Sequence, residues 1–181
     1  MTCHHLGRRV QTLAVQAACL MLMSCAAMQA TAAEADAPPI AHVRASNPAI
    51  ARLIREATGQ SATFRHIVEA IEATDGIVYV EDGQCGHGVR ACLKMWMQAG
   101  GPHRFLRVIL DRRKYDSDAD VMGSIGHELQ HTVEALSDPG ITDGPKLYNY
   151  FRRLAPTDNN RFETTAAVKA GDLVQDEIRH R

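Results

Sequence analysis

Val121-Met122-Gly123-Ser124-Ile125-Gly126-His127-Glu128-Leu129-Gln130-His131-Thr132-Val133-Glu134-Ala135-Leu136 decides how this chain is read. At about 100° per residue, Val121, Met122, Ile125, Leu129, Val133 and Leu136 fall within one arc. That predicts a helix which Asp118 can cap, running to about Leu136, with an apolar face to bury. His127 and His131 stand on the opposite face one turn apart, where two imidazoles can grip a single metal ion. Glu128 lies beside the histidines and not between them. Its carboxylate would sit next to the ion without ligating it, the place for a base that acts on water. The spacing is H-E-x-x-H in a helical context. The plainer alternative is a solvated face, but such a face more often carries Lys or Glu than paired His.

Downstream, Asp138-Pro139-Gly140 breaks the helix, Lys146 to Leu154 reads as a shorter one, and Asn159 or Asn160 opens a last helix. Counted from Phe162, Glu163 falls amid the apolar face made by Ala166, Ala167, Ala170, Leu173, Val174 and Ile178. A carboxylate buried there without a partner costs on the order of several kcal/mol, so it needs a cation. An ion on His127 and His131 would supply one, and tetrahedral zinc with an open position needs a third protein ligand. An ion pair with Arg52 or Arg107, or a placement near the helix start where water still reaches, would also serve. Asp138 competes for the third position. Glu134 is too near His131 on the same helix to close a tetrahedron and reads as a group behind the ligands or on the surface.

Upstream, Asn47-Pro48 opens one helix and Ser61 caps another, with Ile50, Leu53, Ile54 and Ala57, then Phe64, Ile67, Val68 and Ile71, as their stripes. The period changes at Ile77-Val78-Tyr79-Val80, and Val89 to Met97 and Phe105 to Leu110 are further extended candidates, with Trp96 expected in the core. Two helices, three strands and three helices predict one α+β domain over 47–181, its sheet small, three-stranded and mostly antiparallel. Residues 33–46 read as a linker.

The first 32 residues look like an export signal. Arg8 and Arg9 precede an apolar stretch from Leu13 to Met28, and Ala30-Thr31-Ala32 offers an A-x-A site. Leu22-Met23-Ser24-Cys25 also resembles a bacterial lipobox, with Cys25 as the lipid anchor. The expectation is an exported chain, periplasmic or secreted, that keeps two of five cysteines. Cys85 and Cys92 then read as one disulfide, whereas a metal set including His87 would match no common zinc module. The 181 residues, 45% hydrophobic and 23% charged, suit one globular domain. With 20 basic and 21 acidic side chains there is no surplus of positive charge for a polyphosphate, so nucleic acid is not an expected partner.

Ile125-Gly126-His127-Glu128-Leu129-Gln130-His131, followed by Phe162-Glu163-Thr164-Thr165-Ala166-Ala167, resembles the gluzincin branch of zinc metallopeptidases, and in size is similar to the single-domain minigluzincins. The resemblance implies a zincin-like fold, zinc on His127, His131 and Glu163, and Glu128 as general base in the hydrolysis of a peptide or protein substrate. It also implies a strand edge that aligns an extended peptide. Two departures stand out. Ala167 occupies the place where many gluzincins carry an acid one turn after the ligand Glu. No motif marks the group that would stabilise the oxyanion, for which Tyr148, Tyr150, His103 and Arg161 are candidates. The contrasting expectation is an envelope protein whose zinc is structural and turns nothing over.

Overall fold

Two polar caps set the amino-terminal helices. The Asn47 side chain accepts from the Ile50 amide at 3.0 Å and Pro48 occupies the first turn, so α1 runs Pro48–Gln60. Ser61 accepts from the Phe64 amide at 2.9 Å and starts α2, Ala62–Glu72. The computed structural model describes residues 41–154 except 87, and 162–181. The leader with Cys25, the linker up to 40, His87 and the residues Asn159, Asn160 and Arg161 lie outside the described residues.

The sheet has five strands: β1 Val43–Ala45, β2 Gly76–Asp82, β3 Ala91–Leu93, β4 Gln98–Gly100 and β5 His103–Leu110. Their order is β1-β2-β5-β3, with β4 also on β5. β2 runs parallel to both neighbours, pairing Val78 with Val43 and Ile77 with Phe105. β3 and β4 run antiparallel to β5, pairing Cys92 with Ile109 and Ala99 with Arg104. The expected three-stranded, mostly antiparallel sheet is therefore corrected to a mixed sheet with a parallel centre. Chain proximity suggests hairpins, but β5 returns beside β2 and leaves the intervening chain as the far edge. β1 lies inside the stretch expected to be linker, because three residues are too few to show a two-residue period. Of the extended candidate Val89 to Met97 only Ala91–Leu93 pairs with β5, and the bend after it leaves Trp96 46% exposed instead of in the core.

α3 spans Asp118–Leu136, capped by Ser117 and not Asp118: the Ser117 hydroxyl accepts from the Asp120 amide at 3.2 Å. α4 is Gly144–Leu154 and α5 is Thr165–Arg179. α3 packs on β2, β3 and β5, on α1 and α2, and most extensively on α5, so the side away from its apolar arc is covered as well. The approach of α5 depends on glycine. A Cβ on Gly171 would lie 3.1 Å from the Cβ of His127, and one on Gly123 would lie 3.0 Å from the Gly171 carbonyl oxygen.

Arg104, at the start of β5, ties down the far end of α3. Its Nε donates to both Asp75 oxygens at 2.9 Å, Nη2 to Asp75 at 2.6 Å and to the Leu136 carbonyl at 2.8 Å. Nη1 donates to the carbonyls of Asp138 at 2.8 Å and Ile141 at 3.2 Å. A buried guanidinium is tolerated only when its donors are met in this way.

Candidate metal centre and its cleft

One turn of α3 places the rings of His127 and His131 with centroids 4.9 Å apart and planes at 79°. The carboxylate Oε2 of Glu163 lies 3.0 Å from His127 Nε2. One donor atom from each of His127, His131 and Glu163 falls within 4.8 Å of the others, which makes a group that could hold a metal ion. Donors about 2.0–2.1 Å from a tetrahedral ion stand roughly 3.3 Å apart. The His127–Glu163 pair at 3.0 Å is close to that spacing, while the whole set within 4.8 Å is wider and would draw in around an ion. Two imidazole nitrogens with one carboxylate oxygen suit a divalent ion such as zinc.

Glu163 reaches this position by a different route from the one its helical phase suggests. Helix α5 begins at Thr165, with Thr164 as its cap, so Glu163 precedes the helix and does not lie on its apolar face. Its side chain is 52% exposed. Burial is not what brings it to the histidines. The Thr164 hydroxyl accepts from the Ala167 amide at 3.1 Å, fixing the helix start, and donates to Glu134 Oε1 at 2.6 Å. The adjoining residue is thereby aimed at His127. The alternative partners are occupied elsewhere: Arg52 pairs with Glu56 and Asp118, and Arg107 with Glu81. Asp138 is not brought to the centre; its carboxylate accepts from the Gly140 amide at 2.8 Å.

Glu134 sits behind the histidines. Its Oε2 is 3.0 Å from His131 Nδ1. With a carboxylate facing Nδ1, the proton belongs on that nitrogen, and the Nε2 lone pair is left to point at an ion. On His127 it is Nδ1 that faces Gly171 of α5, at 3.6 Å from where a Cβ would stand. The sequence offers Glu134 as a group behind the ligands or on the surface, without assigning it to a histidine, and the place one turn after Glu163 holds Ala167. The structure puts Glu134 on His131, and Thr164, which braces it, is the residue the sequence does not single out, since it carries only the ordinary mark of an N-cap.

Glu128 is 7% exposed, and its Oε2 accepts from the Leu93 amide of edge strand β3 at 2.6 Å. Burial raises its pKa above the ordinary carboxylate range against the pull of His127 and His131. Burial also pulls His127 down, but the hydrogen bond it donates to Glu163 and the charges of Glu128, Glu163 and Glu134 outweigh it and leave His127 raised. Three carboxylates around two imidazoles make a centre that favours added positive charge.

The centre opens on a cleft of about 610 Å³ bordered by Glu128, His131 and Glu163, by the aromatic rings of Phe151 and Phe162, and by Cys85, Gly86 and the residues from Gly88 to Leu93. A second depression of about 280 Å³ adjoins it beside His127, Ser124 and Gln175. Cys85 and Cys92, paired as the spacing suggests with Cα atoms 5.9 Å apart, close the loop that forms the cleft wall. Of the oxyanion candidates, His103 lies at the β4–β5 turn with Nδ1 3.3 Å from the Asp75 carbonyl oxygen, away from the centre. Tyr148 packs edge-on against Phe162 and Tyr150 against Phe151, and neither is among the residues that border the cleft. Arg161 lies outside the described residues.

The chain matches no protein-family model, no curated protein and no solved structure.

Proposed function

We propose that this chain is an exported zinc-dependent metallopeptidase of compact, zincin-like design, acting on peptide bonds in the cleft between α3 and strand β3. The observation that carries the reading is the convergence of His127, His131 and Glu163, with donor atoms within 4.8 Å of one another, beside a buried glutamate and an open cleft. A purely structural zinc site is closed on all sides by protein ligands, whereas this set offers three ligands and borders open space.

A zinc ion held by the three side chains would supply Lewis acidity toward a carbonyl and lower the pKa of water. The remaining work belongs to the chain's own groups. Glu128 is the general base, its carboxylate made more basic by burial and held in place by the Leu93 amide. It takes a proton from the attacking water and returns one to the departing amine. Glu134 and Thr164 keep His131 oriented. β3 is the edge strand beside the cleft, and its outward backbone groups other than the Leu93 amide, which holds Glu128, can pair with an extended peptide.

The test joins metal analysis of the purified chain to cleavage of a random peptide library. About one zinc per chain and cleavage that stops with chelator are expected. Glu128→Gln should lower turnover roughly 10²- to 10⁴-fold while zinc content stays the same. A chain that holds its zinc, stays folded and cleaves nothing would instead be the envelope protein with a structural metal.

A further inference from the structure

Every charged group among the described residues that border the two depressions is an acid or a histidine, save one. Among the described residues, Arg90 is the single lysine or arginine on either rim, and it borders both, with Glu128, His131 and Glu163 on one side and His127 and Glu128 on the other. Its main chain is pinned, since its carbonyl accepts from the Asp111 amide at 2.8 Å. Its guanidinium lies over the Tyr115 ring, with Cζ 5.0 Å from the centroid. Tyr115 is half-buried against the core and gives a fixed plate for it.

The contrast with other arginines is informative. Arg52, Arg104, Arg107, Arg113 and Arg179 each hold a carboxylate of this chain. Arg90 holds none among the described residues, although acids stand along the same rim. A guanidinium stacked on an aromatic ring has its flat face covered and its orientation restricted, yet the N–H fork in its plane stays available. That fork matches a carboxylate in bidentate fashion, and the side-chain entropy of ordering it has largely been spent before the partner arrives.

We propose that Arg90 is the specificity-determining residue of this cleft and docks a carboxylate of the substrate, either an acidic side chain or the α-carboxylate at a peptide's C-terminus. This rests on the peptidase reading and names the substrate class for that same site. The acids on the rim act in the opposite sense and disfavour any substrate carboxylate that Arg90 does not meet.

The experiment compares three sets of peptides with the zinc-loaded full chain: neutral with an amidated C-terminus, neutral with a free C-terminus, and amidated with one internal Asp or Glu. The native chain should favour one of the carboxylate-bearing sets roughly 10- to 100-fold in kcat/KM, mostly through KM, and which set it favours identifies the source of the carboxylate. Arg90→Gln should bring that ratio close to one, Arg90→Lys should restore part of it, and Arg90→Glu should turn the preference toward lysine-bearing peptides. Binding of the same peptides to the Glu128→Gln chain, with and without Arg90→Gln, reads the inference without turnover. A native chain that cleaves nothing overturns the peptidase reading while the binding ratio still judges Arg90. Equal ratios for native and Arg90→Gln, in cleavage or in binding, overturn the role of Arg90, as does a native preference for the neutral amidated set.

Discussion

Helix α3 carries two polar centres, one at its C-terminal foot and one in its middle, and they are balanced in opposite ways. At the foot, Arg104 spends all five N–H donors on Asp75 and on the carbonyls of Leu136, Asp138 and Ile141. One guanidinium meets one carboxylate, and no donor is left over. In the middle, Glu128, Glu134 and Glu163 surround His127 and His131, and two of the three acids border open space. A network that closes on itself holds a fold together, while one that carries surplus charge toward a cleft is set up to receive something. Both lie against the same helix and both hold carboxylates, so the presence of acids alone does not separate them.

The largest expected effect breaks the closed centre. Arg104→Met should lower the free energy of unfolding by about 3–5 kcal/mol, because three backbone carbonyls and a carboxylate lose their donor together. Chemical denaturation measures it. Zinc affinity of the fraction that remains folded should hardly change, since the ligands lie more than a turn away along α3. If affinity and stability fall in proportion, the two centres are one network and the contrast drawn here is wrong.

A smaller effect sharpens the open centre. Glu134→Gln keeps the shape but weakens the acceptor for His131, and Thr164→Val removes the hydroxyl that braces Glu134. Each should cost roughly 10- to 100-fold in metal affinity by competition with a chromophoric chelator. The double variant should lose less than the product of the two, because both act through one hydrogen-bonded chain. Thr164→Val should cost about 1 kcal/mol of stability as well, since the same hydroxyl caps α5.

The two centres were not equally legible. His127, Glu128 and His131 lie within five residues of one helix, so their juxtaposition follows from helical geometry alone. Glu163 was found by its identity more than by its phase. Periodicity carries the last helix back past Thr164, the residue whose hydroxyl in fact starts it, and Glu163, outside the helix, is exposed and not buried on its apolar face. Arg104 left no mark in the sequence, because most of its acceptors are main-chain carbonyls whose positions only the fold decides. The parallel centre of the sheet did leave one. Ile77, Val78 and Val80 are buried together on both faces of β2, the run of apolar residues that a doubly covered strand requires and an alternating hairpin strand does not. β1 could not be read, having three residues and a proline-bearing approach.

The smallest effect, and the one that separates the centres by sign, is the response of metal-free protein to pH. Asp75 is held below the usual carboxylate value chiefly by its hydrogen bond to Arg104. Its contribution is therefore complete above its unfolded value of 3.8 and is lost as pH falls through the lower folded value. Glu128 is raised by burial, so the fold carries no penalty from it below 4.5 and loses stability as pH rises through the higher folded value, where a charge must be kept out of water. His127, also raised, adds in the same direction: what it contributes is present below 6.5 and fades as pH climbs through its folded value. Thermal melts in chelator from acid to neutral pH should show a maximum between these flanks. Asp75→Asn should make the acid flank shallower, leaving the share of Asp111 and Glu177, and Glu128→Gln should make the neutral flank shallower. Zinc should restore stability on the neutral side, because a bound cation takes up the charge that the metal-free centre must leave unmatched, and a neutral flank unmoved by either Glu128→Gln or zinc would mean that this surplus of carboxylates does not govern the centre.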